Sequence, residues 1–315
     1  MIDVLVLGDA NLDLVLRGEV VPRFNQAEQL LDAATLVLGG SAGIMAHALA
    51  RLGRATRLGA LTGRDAFGDE VVELLAAAGV DTTTVVRDPD RSTGLTVVLS
   101  QEQARSILTF LGAIPAYSIE QATDALVSAA RDGARHVHAS SFFLLPALGA
   151  GLATLFGRAH ALGLTTSLDP NFDPAEQWNG VEELLANVDL LLPNRTEAMA
   201  IAARVTGHPI LDPVAAGAAL ASRGPVVVMK DGRRGAMLVH PDGSILRNEG
   251  TPLDAVDTTG AGDTFDAAYL DSLLRDLPPS ECLRRAVLAG ALSTSAIGGT
   301  AGHPTLDQLL PIVLS

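Results

Sequence analysis

The chain has 315 residues, 48% of them hydrophobic, ample for a sizeable core. With 36 acidic and 22 basic residues its net charge is −14, the wrong sign for a nucleic-acid partner, which calls for a basic face. The lone cysteine, Cys282, excludes an intramolecular disulfide and a thiolate metal cluster. No run of ~18 apolar residues could span a bilayer. "MIDVLVLGDANLD" lacks the basic start and cleavage site of a signal peptide. A cytoplasmic protein with no membrane partner is the expectation.

Taken in chain order, strand and helix patterns alternate. "VLVLG" (4–8) reads as a buried strand, "SAGIMAHALARLG" (41–53) as a helix ending at Gly53 and "ATRLGAL" (55–61) as a strand. "AFGDEVVELLAAAG" (66–79) has helical spacing. "HVHAS" (136–140), "LTTSLD" (164–169), "VDLLLP" (188–193) and "PVVVMK" (225–230) are short apolar or β-branched runs separated by helical stretches. This order predicts a mostly parallel sheet covered by helices. Residues 12–38 and about 93–111 break the rhythm, with "LTVVLS" and "SILTFL" flanking "QEQA" like a hairpin. They are expected to form a small inserted β lid on a single 1–315 domain. The apolar positions Leu14, Val15, Val97 and Leu99 predict a bare β face and hence a homodimer through that lid.

The stretch "DTTGAGDTFDAAYL" (257–270) concentrates the chemistry. After Asp263, the residues Phe265, Tyr269, Leu270, Leu273, Leu274 and Leu277 trace one apolar helix face ending at Pro278-Pro279. Gly260, Ala261 and Gly262 then occupy the N-terminal turn, where free N–H groups and the helix dipole favour an anion. Asp263 could cap the helix. It could also take a proton from a hydroxyl aimed at a phosphate, and only this second reading explains the adjacent glycines.

"DTTGAGD" resembles the C-terminal signature of the PfkB, or ribokinase-like, carbohydrate kinase family. "GDANLD" (8–13), "LGGSAGIMAHALARLG" (38–53), "GRDAFGDE" (63–70), "DPNFDPAEQW" (169–178), "PNRTEA" (193–198) and "KDGRRGA" (230–236) resemble further blocks of that family, in its order. The resemblance implies a three-layer α/β/α ribokinase-like fold. It implies an ATP- and Mg²⁺-dependent kinase acting on a small neutral sugar. Asp263 would be the base, and Gly260, Ala261 and Gly262 the anion hole. Asn11, Asp13, Gly39, Gly40 and Ser41 would hold the sugar, with Asn11 and Asp13 donating to and accepting from vicinal hydroxyls. Asn194 and Glu197 would act near Mg²⁺ and the ATP phosphates, although N-x-x-E is also a capping box. Lys230, Gly232 and Gly235 would line the nucleotide side, with "STSAIGGTAG" (293–302) near the adenine. Lys230 could touch phosphate or simply end a strand. A monovalent cation such as K⁺ would lie near Asp257.

Two positions depart from the family pattern. Ile44 stands where a sugar-contacting Asn is usual, and Asp173 where an Arg is expected. An aspartate facing the acceptor would repel an acidic sugar, which points to neutral acceptors. The alternatives are a nucleoside kinase with the same machinery and a catalytically silent sugar-binding relative. A Rossmann dehydrogenase is disfavoured, because the first strand runs into "GDANLD" and not G-x-G-x-x-G. His47, His136, His138 and His160 have no carboxylate at metal-ligand spacing and read as core or surface residues.

Overall fold

All four side chains of Val4–Leu7, the first strand (β1), are buried. A strand apolar on both faces needs cover on both. Val4 and Val6 enter one apolar cluster, Leu5 and Leu7 another. The computed structural model describes residues 1–25, 28–101 and 104–310. Glu102 and Gln103, in the expected hairpin turn, and Gln26 and Ala27, within the 12–38 segment, lie outside the described residues.

The remaining strands are β2 (Asn11–Arg17), β3 (Ala33–Gly39), β4 (Thr56–Gly63), β5 (Asp81–Asp88), β6 (Leu95–Gln101) and β7 (Ala104–Phe110). They continue with β8 (His136–Ser140), β9 (Thr165–Asp169), β10 (Leu190–Leu191), β11 (Val226–Lys230), β12 (Ala236–Val239) and β13 (Ile245–Asn248). The α-helices begin with α1 (Ser41–Arg51), α2 (Ala66–Ala77), α3 (Ile119–Arg131), α4 (Pro146–Gly149), α5 (Leu152–Ala161) and α6 (Val181–Leu184). After them come α7 (Arg195–Thr206), α8 (Pro213–Ala221), α9 (Ala261–Leu273), α10 (Pro279–Ser293) and α11 (Leu306–Leu309).

The main sheet has the order β13-β12-β11-β10-β9-β8-β1-β4-β5. Neighbours from β11 to β5 are all parallel, and β12 and β13 extend one edge antiparallel. Chain order runs outward in both directions from β1 and β8. That pair therefore flanks a topological switch point, where strand C-termini leave a crevice for ligands. Helices α1, α2 and α9 cover one face, and α3, α5, α7 and α8 the other, giving three layers. Helix α10 lies beside α9 on the same face, its Cys282 and Leu283 packing with Phe265 and Tyr269 over Leu190, Val228 and Leu238 of the sheet.

His136 and His138 are core residues. They point the same way along β8 and share the Ser167 hydroxyl, at 2.6 and 2.7 Å. Burial pushes both down to about 3, so they stay neutral.

A second sheet has the order β3-β2-β6-β7, with β2 and β6 parallel in its middle. Its outer face differs from the sequence expectation. Val15 is buried, and Leu14, Val97 and Leu99 are half-buried. The exposed apolar side chains are instead Leu36, Leu108 and Phe110 on the face that carries Leu14 and Val97, and Ile107 on the opposite face, at 44 to 60%.

Helix α9 also departs from expectation. It stops at Leu273, well short of Pro278, because Asp276 takes a left-handed φ of 57° and turns the chain. Nor does it carry a single apolar stripe, since every residue from Asp263 to Ser272 is buried.

Candidate active site

The parallel strands deliver a set of polar residues to one end of the sheet. Asp9 follows β1, Ser141 follows β8, Asp169 ends β9, Asn194 lies just beyond β10, and Lys230 ends β11. The N-terminus of α9 brings Asp263 and Asp266 to the same place.

Gly260, at φ 71°, is the N-cap of α9, and no side chain caps that end. Asp263 is therefore not the cap. Its Oδ1 accepts a hydrogen bond from the Ser41 hydroxyl at the start of α1. Burial pushes its carboxyl up to about 7, helped by the Asp169 charge and opposed by Ser41 and Lys230. The first intrahelical bond runs from the Thr264 N–H to the Gly260 carbonyl at 2.9 Å, so the Gly262 and Asp263 amides precede the ladder. A Cβ on Gly260 would come within 2.7 Å of the Gly299 carbonyl, so the turn requires glycine there for space as well as conformation.

Lys230 does not reach outward. Its ammonium lies 2.7 Å from Asp169 Oδ2 and 2.8 Å from Asp266 Oδ2. Burial opposes that charge, but the two carboxylates outweigh it and raise the lysine above its ordinary value. Burial likewise works to raise Asp169, yet Lys230 holds it below the usual carboxylate range.

On the β2 side, the Asn11 amide donates to the Leu12 carbonyl and Thr96 Oγ1 at 3.0 Å and to Asp13 Oδ1 at 3.3 Å. Asn11 and Asp13 are first and third in β2 and share a face. Burial, and then Asp9, push Asp13 up to about 6. Gly39 pairs opposite Asn11, and a Cβ there would sit 2.1 Å from Asp13 Oδ1. Gly40 caps α1 at φ 80° and packs against the Asp9 carbonyl. The Asp9 side chain accepts the Ala42 N–H at 3.2 Å.

Beside the α9 turn lies a cavity of about 240 Å³ lined by Lys230, Gly232, Gly235, Ala261 and Gly262. It continues over Leu253, Phe265, Val287 and Ala291, an apolar slot suited to a flat ring. Of "STSAIGGTAG", only Thr294 lines it. Asn194 and Glu197 do not line it. They form the capping box of α7, with Asn194 Oδ1 accepting the Glu197 N–H at 3.0 Å and Glu197 Oε2 accepting the Asn194 N–H at 2.8 Å. Burial, and then Asp169, push Glu197 up to about 7. Asp257 accepts from the Thr259 and Gly298 amides, both at 2.9 Å, which ties the glycine turn to the 298 loop.

Two sequence readings change. Asp173 is buried and accepts three backbone N–H groups, from Ala175, Gln177 and Trp178. It organises its own loop and does not face an acceptor. Ile44 is buried against Gly260 and Gly299, so it packs the glycine turn and leaves no polar gap there. Asp9, Asp169, Asp266 and Ser141 join the site although the sequence gives none of them an individual role. The only available signals were proximity to "NLD" for Asp9 and the i,i+3 spacing from Asp263 for Asp266.

A crevice at a parallel-sheet switch point, with a glycine turn at a helix N-terminus and a buried carboxylate of raised basicity, is an arrangement that suits a group-transfer enzyme. The chain belongs to the pfkB family of carbohydrate kinases, whose model matches residues 1–306. It is 26% identical to a ribokinase of Haemophilus influenzae, over 97% of this chain and 96% of that one. It is 30% identical to an ATP-dependent ribose-1-phosphate kinase of Halopiger xanaduensis, over 98% and 97%. The structure of Arabidopsis thaliana ribokinase complexed with ribose and ATP superposes with a TM-score of 0.82 at 25% identity, covering 98% of both chains. The chain is a sugar kinase of the ribokinase type, a phosphotransferase acting on a sugar hydroxyl.

Proposed function

We propose that the protein transfers the γ-phosphoryl group of ATP to a hydroxyl of a small neutral sugar, with Asp263 as the base. The observation that carries this reading is that Asp263 leaves the cap position to Gly260 and turns its carboxylate to Ser41. Ser41 directly follows Gly39 and Gly40, which pack against Asp13 and Asp9. On the other side, Gly262 opens to the cavity. Asp263 thus stands between an acceptor side (Asn11, Asp13, Gly39, Gly40, Ser41) and a donor side (Lys230, Gly232, Gly235, Ala261, Gly262).

A carboxylate with basicity near 7 can take a hydroxyl proton at neutral pH. The Ser41 hydroxyl holds Oδ1, so Oδ2 is the atom offered to the acceptor. The early amides of α9 stabilise charge on the transferring group. Buried Asp9, Asp13 and Asp263 together disfavour an anionic acceptor, which replaces Asp173 as the reason to expect a neutral one.

The site fits Mg²⁺. Among the described residues, no three acidic, histidine or cysteine side chains are grouped to cage a metal. The fit rests on Glu197, a buried carboxylate raised beside the Asp169 charge, since Mg²⁺ keeps waters and leans on substrate phosphates plus one or two such carboxylates. Asn194 and Glu197 are the residues assigned to its side. When bound, it supplies the charge neutralisation that Lys230, committed to two aspartates, does not. A K⁺-like cation near Asp257, one 1–315 domain, a cytoplasmic location and a homodimer through a β2-β3-β6-β7 lid belong to the same proposal. Among the described residues no helix is long and apolar enough to cross a membrane.

The deciding experiment is ATP turnover against a panel of pentoses, hexoses, sugar acids, sugar phosphates and nucleosides. A neutral sugar should give the highest kcat/KM. A nucleoside giving it would replace the acceptor assignment, and ADP formation with none of them would remove the catalytic one.

A further inference from the structure

Lys230 is the only lysine in the chain. Two of its three donors are aimed at carboxylates that are themselves 1–3% exposed. A Cβ placed on Gly262 would lie 3.6 Å from Nζ and 3.8 Å from Cε, so the side chain runs directly beneath the anion turn. A lysine reaching for a phosphate would have to abandon both aspartates, leaving buried carboxylates uncompensated, which is strongly unfavourable. Asp169 is further anchored by the Asn171 N–H at 3.1 Å, and Asn171 in turn accepts the Ser141 N–H at 2.7 Å. The ammonium therefore joins the ends of β9 and β11 to the second turn of α9, one turn on from Asp263.

We propose that Lys230 is a positioning residue: held by Asp169 and Asp266, it supports the turn that carries Asp263 and balances the charge around it, and it does not bind the phosphate chain. This rests on the reading of Asp263 as the base. The groups facing Asp263 are the Ser41 hydroxyl from α1, Asp9 from the β1–β2 turn, Asp169 from β9 and Lys230 from β11. Asp266 lies one turn along its own helix. Asp13 and Glu197 stand behind these, coupled to Asp9 and to Asp169 and Lys230. Lys230 is the only cation in the set. Losing it must raise the basicity of Asp263, losing the Asp169 charge must lower it, and losing both must restore the balance.

The test compares Lys230→Met, Asp169→Asn and the double variant with wild type. The measurements are kcat/KM for the acceptor against pH, kcat and KM for ATP separately, and Tm. The acid limb should move up by roughly one pH unit in Lys230→Met, because Asp169 and Asp266 are then free to share a proton and cap the shift. It should move down by roughly one unit in Asp169→Asn and return close to wild type in the double variant. KM for ATP should stay within about threefold in Lys230→Met, under 1 kcal/mol of binding.

A tenfold or larger rise in that KM with an unmoved acid limb would make Lys230 a phosphate ligand and overturn the proposal. So would lowered Tm values with every acid limb in place, the mark of a purely structural ion pair. Should Lys230→Met fail to fold, Asp169→Asn and the charge-balanced double variant decide by the same limbs. Asp263→Asn separates the two layers. If that variant is inactive while the limbs stay fixed, only the role of Lys230 is lost. If it retains wild-type kcat, the base assignment and this inference fall together.

Discussion

Asp263→Asn removes a charge while keeping shape, because an amide oxygen can still accept from the Ser41 hydroxyl. Two effects of opposite sign should follow. Loss of the base should lower kcat by ~10²–10⁴-fold. Stability should rise. The folded carboxyl is raised from 3.8 to about 7, so between those values the native state holds a proton that the unfolded chain releases. Stability contributed by the protonated form is present below about pH 4 and is lost as pH rises through about 7. The full difference is about 4 kcal/mol at most, and relaxation around the site should leave roughly 2 kcal/mol. The variant should therefore unfold several degrees above wild type at pH 8, with the gap closing toward pH 4. Thermal unfolding at both pH values, together with steady-state kinetics, measures the pair of effects. A variant with wild-type kcat would show that Asp263 is not the base, and one less stable than wild type at pH 8 would overturn the burial account of its raised basicity.

Gly39→Ala places a methyl 2.1 Å from Asp13 Oδ1, where ordinary contact begins near 3.4 Å, so the carboxylate must retreat by about 1.3 Å. Losing one or two of its hydrogen bonds to an acceptor should raise the acceptor KM roughly 10–100-fold with little change in KM for ATP, read by kinetics at saturating ATP. Excess chelator should abolish phosphoryl transfer, and added Mg²⁺ should restore it; full activity in chelator would contradict the charge argument. In wild type, kcat/KM should fall as pH drops through about 7, because Asp263 must be ionised to act; a flat profile from pH 5 to 8 would exclude it as the titrating group. Leu108→Glu and Phe110→Glu, which share one exposed sheet face, should weaken self-association, and sedimentation that finds wild type monomeric at high concentration would refute the dimer.

The layered fold was legible because strands buried on both faces read as continuous apolar runs, as in "VLVL" and "VVVMK". Local motifs were legible for a related reason. The "GAG" turn and the Asn194–Glu197 box depend on neighbours within a few residues, so their spacing reports their geometry. Lys230, Asp169 and Asp266 meet across 61 and 36 positions, and no spacing rule announces a pair formed only by tertiary packing. Asp173 was misread for a conformational reason. Asn171, Glu176 and Trp178 all adopt left-handed φ values between 54 and 56°, which wraps three amides around one carboxylate. Nothing in "DPNFDPAEQW" marks non-glycine residues for that region. The end of α9 was missed because the apolar spacing continues through Leu277 although the backbone turns at Asp276.

The burial of α9 on every side has a consequence for how sequence variation can accumulate. A helix with one wet face can absorb substitutions there and adjust its position. Asp263 to Ser272 offer no such face, and at the far end Asp271 is tied to Arg54 and Arg275. In a saturation-mutagenesis map this helix should appear as an unbroken band of intolerance, without the 3.6-residue stripes expected along α2 or α3. Family members that exchange one acceptor for another would then diverge on the β2-β3-β6-β7 side of the crevice, while the anion turn stays the fixed jaw against which that side works.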